Sequence, residues 1–182
     1  MLARSAVLVH HARLNLHLKS HIEDVFSKPV LHRVLHLLSA KTAEHDVLEA
    51  LMAAAALIAS ARGAIEEVDK RFLTDKLEHI ELFKHVELEE ALKLFMRDVN
   101  NIQTDSQAGT KAALSRIGAL ASEPQLAYVV MGVAHGIADL HSDHSADVEA
   151  QLLKIAETLN LPAEIEVLAE QIAPGKSGSA DK

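Results

Sequence analysis

Leu51-Met52-Ala53-Ala54-Ala55-Ala56-Leu57-Ile58-Ala59-Ser60-Ala61-Arg62-Gly63 reads as a helix built from small apolar residues and ended by a glycine. The chain returns to that design, more loosely, at Tyr128-Val129-Val130-Met131-Gly132-Val133-Ala134-His135-Gly136-Ile137-Ala138-Asp139. Each run passes through a polar turn into an amphipathic segment with acids at its start, over residues 66–77 and 146–159. Two helix–turn–helix units predict an all-α protein, a helical bundle of two pseudo-symmetric halves. Both turns gather carboxylates: Glu66, Glu67 and Asp69 in the first, Asp139, Asp143, Asp147 and Glu149 in the second.

Composition supports the helical reading and removes several function classes. Ala and Leu dominate, both strong helix formers, and period-two runs of β-branched residues are absent. With no cysteine, the chain can build neither a disulfide framework nor a thiolate metal site nor a thiol nucleophile. A net charge of −8 argues against general nucleic-acid binding, which needs a basic face. One Tyr, four Phe and no Trp leave little for base-stacking or sugar-stacking platforms. The longest uncharged apolar stretch, residues 50–59, is half of the roughly 20 residues that span a bilayer, so no transmembrane segment is expected. No secretory pattern opens the chain, and a cytoplasmic protein is expected.

At 182 residues the chain suits one domain with extensions. Residues 1–43 read as an N-terminal helical extension, 44–173 as the helical domain, and 174–182 as a disordered tail rich in Gly and Ser. Pro29 suits the first turn of a helix ending near Leu38. Glu44 begins the first small-residue helix and Gly63 ends it. From Glu87, the positions Leu88, Ala91, Leu92, Phe95 and Val99 mark a core-facing helix that Asn100-Asn101 should stop. Thr104 or Asp105 can cap the next helix, which carries Leu114, Ile117 and Leu120. Ser122 is the expected N-cap before Pro124, and Ser145 the expected N-cap of a helix with Val148, Leu152, Ile155, Ala156 and Leu159 on one face. Asn160-Leu161-Pro162 should end that helix, with a short one to follow over 163–172. The small residues leave thin surfaces, so the two small-residue helices should pack against each other.

The turn Ala61-Arg62-Gly63-Ala64-Ile65-Glu66-Glu67-Val68-Asp69 resembles the Ala-Asp-Gly-x-(Ile/Val)-x-x-x-Glu signature of the tellurite-resistance TerB-like family. Ser142-Asp143-His144-Ser145-Ala146-Asp147-Val148-Glu149 resembles that family's second Ser-Asp-Gly repeat with one residue deleted. The resemblance spans roughly residues 44–161. It implies an all-helical domain of two similar halves and an acidic surface for a divalent metal. It also implies a non-enzymatic role in stress-response or metal-linked assemblies, beside a protein partner. The match is uneven. Arg62 stands where the first motif has its Asp, and His144 where the second has Gly. Asp69 matches the first Glu conservatively, and Asp143 matches the second Asp directly.

The densest ligand cluster is Asp139-Leu140-His141-Ser142-Asp143-His144-Ser145-Ala146-Asp147-Val148-Glu149. Counted from Asp139, its acids resemble a calcium loop, but the twelfth position is Ala150 and the sixth is His144, which excludes an EF-hand. Imidazoles among carboxylates suit zinc, manganese or nickel better than calcium. Asp139, His141, Asp143, Asp147 and Glu149 are therefore the candidate ligands of one divalent metal ion. The competing reading is a solvated loop whose Asp147 and Glu149 serve only a helix N-terminus. Arg62 would repel a cation by several kcal/mol, on the order of a contact pair in a partly shielded site. It can pair instead with Glu66, Glu67 or Asp69, while residues 121–151 contain no Lys or Arg. One site is expected, in the second turn, weakening as pH falls and His141 and His144 take up protons.

Other features point elsewhere with less weight. Twelve histidines include His10, His17 and His21 on one helical arc and the His32/His36 pair, all read first as surface or boundary residues. His45-Asp46 is the dipeptide of HD-type phosphohydrolases, which would need His21 or His36 and a distant Asp to hold a metal-bound water. In the first turn of a helix, Asp46 is equally a good N-terminal residue. Residues 1–22 carry Arg4, Arg13 and Lys19 and no acid, a composition shared with organellar transit peptides and membrane-surface helices. Read first as a helix packing on its own domain, residues 1–26 alternatively make the chain an adaptor, docking to a partner or peripherally to an anionic membrane. No nucleophile elbow or phosphate-binding glycine loop occurs.

Overall fold

A computed structural model describes residues 44–80, 83, 85–140 and 145–162. Six α-helices and no strand occur among the described residues: α1 (Glu44–Arg62), α2 (Glu67–His79), α3 (Leu88–Thr104), α4 (Ser106–Gly118), α5 (Pro124–Asp139) and α6 (Ala146–Thr158). The extension of residues 1–43 and the segment 163–182 lie outside them, with the expectations placed there. None of the described helices is long and apolar enough to cross a membrane.

The alanine-rich α1 is the hub. Every residue from 50 to 59 is buried, so this helix has no solvent face. A helix apolar all round can only be stable with neighbours on all sides, and α3, α4, α5 and α6 all pack on it. Its alanines present backbone rather than bulk, which lets four helices share one axis. The expected pairing of the two small-residue helices, α1 with α5, is present. It is not the dominant one, because α3 packs on α1 more extensively. Phe95, at 0 % exposure, is the largest fully buried side chain among the described residues, and Ala91, Val99 and Ile102 share its face of α3.

The helix ends follow local chemistry. Gly63 takes φ +94°, the left-handed conformation that closes α1. Ser145 Oγ accepts a hydrogen bond from the Val148 N–H at 3.3 Å, as expected of the N-cap of α6. Asn160, at φ 55°, ends that helix: the Asn160 N–H donates to Glu157 O and the Leu161 N–H to Ala156 O, a Schellman pair sealed by buried Leu161.

Two boundaries differ from the sequence reading. Asn100-Asn101 does not stop α3, which runs to Thr104. Asparagine weakens a helix interior only modestly, and the buried pair Val99 and Ile102 holds the last turn in place. The break comes at Asp105, whose extended backbone (φ −142°) and side chain, accepting from the Ala108 N–H at 3.0 Å, start α4. Likewise Glu123, not Ser122, is the N-cap residue of α5. Pro124 takes the first helical position, which leaves the cap to the residue immediately before it.

Candidate functional site

The first turn is closed by an ion pair. Where α1 ends, Arg62 folds back so that Nη2 donates to Ala64 O at 2.9 Å and to Asp69 Oδ2 at 2.5 Å. Asp69 sits one turn into α2, where its Oδ2 also accepts from the Glu66 N–H at 2.8 Å. One carboxylate thus caps a helix and neutralises a guanidinium. Asp69 is fully buried, and the Arg62 side chain is 14 % exposed. Of the other acids there, Glu66 is exposed and Glu67 pairs with Lys70 at 2.6 Å on the surface. Nothing in this corner is arranged to receive a second cation.

The second turn is differently built. Asp139 is the last residue of α5 and exposed, while Asp147 (exposed) and Glu149 (half-buried) lie in the first turn of α6. A carboxylate suits a helix N-terminus, so Asp147 and Glu149 have a capping reason to be there. His141 and Asp143, with His144, lie outside the described residues. Among the described residues no three His, Asp or Glu side chains converge as a group able to hold a metal. Asp139, Asp147 and Glu149 alone therefore do not form such a group.

His45 and Asp46 are exposed in the first turn of α1, where Asp46 is one of two acids. No metal-holding convergence includes them among the described residues. His21 and His36, which a hydrolase centred there would need, lie outside those residues.

A second buried carboxylate escaped the sequence reading. Asp98 on α3 is fully buried and takes hydrogen bonds on Oδ1 from Arg97 Nε at 3.0 Å and from Arg116 Nη2 of α4 at 2.7 Å. Arg97 Nη1 reaches Glu49 Oε1 of α1 at 2.9 Å, so four side chains tie three helices together. Burial works against the Arg97 charge, but its hydrogen bonds to Asp98 and Glu49 outweigh that and hold its pKa above the ordinary value. On the surface of α3, the Glu89 carboxyl is held below its usual range by its hydrogen bond to Lys93, whose own pKa is raised by the same contact. The network ties the helices together through Asp98 Oδ1, which takes both arginine bonds, while Asp98 Oδ2 and Arg116 Nε are buried without a hydrogen-bond partner among the described residues. A signal for it was present: Asp98 lies three residues after Phe95 and seven after Ala91, in phase with the core face.

No protein-family model, curated protein or solved structure matches this chain significantly.

Proposed function

We propose that the chain is a non-enzymatic, TerB-like helical module that binds one divalent metal ion through the acidic turn between α5 and α6. In this reading it acts within a stress-response or metal-linked assembly, beside a protein partner. The observation that carries the proposal is the contrast between the two turns. Arg62 occupies Asp69 in the first. The second keeps Asp139 and Asp147 at the surface of a stretch, residues 121–151, that contains no Lys or Arg. His141 and Asp143 supply the remaining ligands, and a mixed imidazole–carboxylate set favours zinc or manganese over calcium.

Calorimetric titration of the full chain with zinc, manganese and calcium tests the reading. Saturable binding tighter than about 1 mM, corresponding to about 4 kcal/mol, is expected for one of the first two. Absence of saturable binding for all three would leave a plain interaction scaffold.

A further inference from the structure

The amphipathic α2 buries only Asp69, Leu73 and Leu77, and among the other helices it lies against α3 and α5. Its contact with α5 has an unusual shape. The edge of the Phe72 ring points at the backbone of α5 at Gly136, so closely that a Cβ there would collide with Phe72 Cζ. Lys76 Nζ stands over the Phe72 ring, 5.4 Å from its centroid. Gly136 is therefore a notch, and Phe72 its plug.

This contact sits between the two turns. Phe72 lies three residues after Asp69, and Gly136 three residues before Asp139. Each is one helical turn from the carboxylate of its own corner. Glycine weakens a helix compared with alanine and leaves its backbone open to water, and Gly136 belongs to the last turn of α5, where helices fray. The Phe72 ring supplies the cover that this residue lacks. Undocking α2 would bare the backbone at Gly136 and loosen the turn that ends in Asp139.

We infer that Phe72 is a positioning residue for the acidic turn: seated on Gly136, it keeps the last turn of α5 helical and so holds Asp139 in place for the cation. The inference rests on the cation-binding reading above for its consequence, but not for its geometry. Phe72 touches no ligand itself and acts through the helix end.

Amide exchange and manganese titration of the full chain, as wild type, Phe72→Ala, Phe72→Leu and Val99→Ala, test it. Val99→Ala is a buried change on α3, outside the two helices that meet at the notch, and controls for general destabilisation. Phe72→Ala should raise exchange at residues 136–140 at least tenfold relative to residues 126–132 and weaken manganese binding about tenfold. Phe72→Leu should restore much of both, and Val99→Ala should change neither selectively. Unchanged relative exchange at 136–140 in Phe72→Ala would overturn the inference, as would an equal response in Val99→Ala. If wild type binds no manganese, the cation reading fails, while the exchange pattern still decides whether Phe72 holds the helix end.

Discussion

Arg62 Nη2 stands 2.5 Å from Asp69 Oδ2, and the carboxylate it meets is sealed from solvent. An ion pair with one buried partner is costly to break from one side, because the remaining charge is left uncompensated. Arg62→Ala should therefore destabilise the chain by about 3 kcal/mol. The double substitution Arg62→Met, Asp69→Leu removes both charges and restores apolar bulk, so it should lose less than Arg62→Ala alone, although the bond that Asp69 accepts from the Glu66 N–H goes with it. Urea unfolding of the two variants checks the order. A double substitution as damaging as the single one would mean that the cap at Glu66 matters more than the ion pair.

The Asp98 network should be unequal in its two arginines. Arg116 reaches across from α4 and is 25 % exposed, whereas Arg97 is 40 % exposed and adjacent to Asp98 in sequence. A solvent-screened pair contributes from nothing to about 1 kcal/mol. Arg97→Met is expected to fall in that range, and Arg116→Met to cost about 2 kcal/mol, nearer the behaviour of a buried pair. A double-mutant cycle between Asp98 and Arg116, read by urea unfolding, should show the larger coupling. Equal couplings for both arginines would show that the link from α3 to α4 holds nothing in particular.

The contrast between these two pairs also marks what could be read from residues alone. That Arg62 would pair within its own turn was legible, because a cation amid acids has few other places to go, but the choice of Asp69 over Glu66 and Glu67 was not. The apolar faces of α3 and α6 were legible for a similar reason: periodicity places Phe95 or Leu152 without knowledge of any neighbour. Asp98 was not, since an aspartate on a helix is ordinarily solvated, and only the approach of Arg116 from another helix makes its burial tolerable. The end of α3 failed in the same way: the local preference of Asn100-Asn101 was overridden by burial of Ile102. In the second turn, Asp147 and Glu149 stand where sequence placed them, at the start of α6. Their convergence with Asp139, however, depends on the path of residues between the helices, which no short-range pattern dictates.

Glycines give a test of how closely the helices approach. A Cβ at Gly109 would stand 2.6 Å from the backbone of Asn101 and Ile102, where α4 turns back against α3 after the single residue Asp105. Backbone cannot swing aside as a side-chain tip can. Gly109→Ala should gain about 1 kcal/mol of helix propensity and lose more to overpacking, with a net cost of about 2 kcal/mol. Gly63→Ala meets no neighbour and bears only the strain of φ +94°, about 1 kcal/mol. Thermal unfolding of the two variants should therefore rank Gly109→Ala as the less stable. The opposite ranking would mean that α3 and α4 can separate at little cost.

The last expectation assigns the cation to one half of the molecule. Asp69 is sealed from solvent and its charge is already balanced by Arg62, so a cation cannot reach it without displacing the guanidinium. Removal of Asp69 should lower stability yet leave cation affinity nearly unchanged, provided titration is done well below the unfolding temperature. Asp143→Ala should instead abolish binding, because Asp139, Asp147 and Glu149 form no ligand group by themselves. The sign of the pH effect follows from the ligand chemistry. Imidazole binds a metal only when neutral, so affinity should fall as pH drops through the ordinary histidine range near about 6.5. Loss of that dependence in a His141→Gln, His144→Gln double variant that still binds manganese would identify the histidines as its source. Manganese binding that survives Asp143→Ala and disappears with Asp69→Ala would place the ion in the first turn and overturn the assignment.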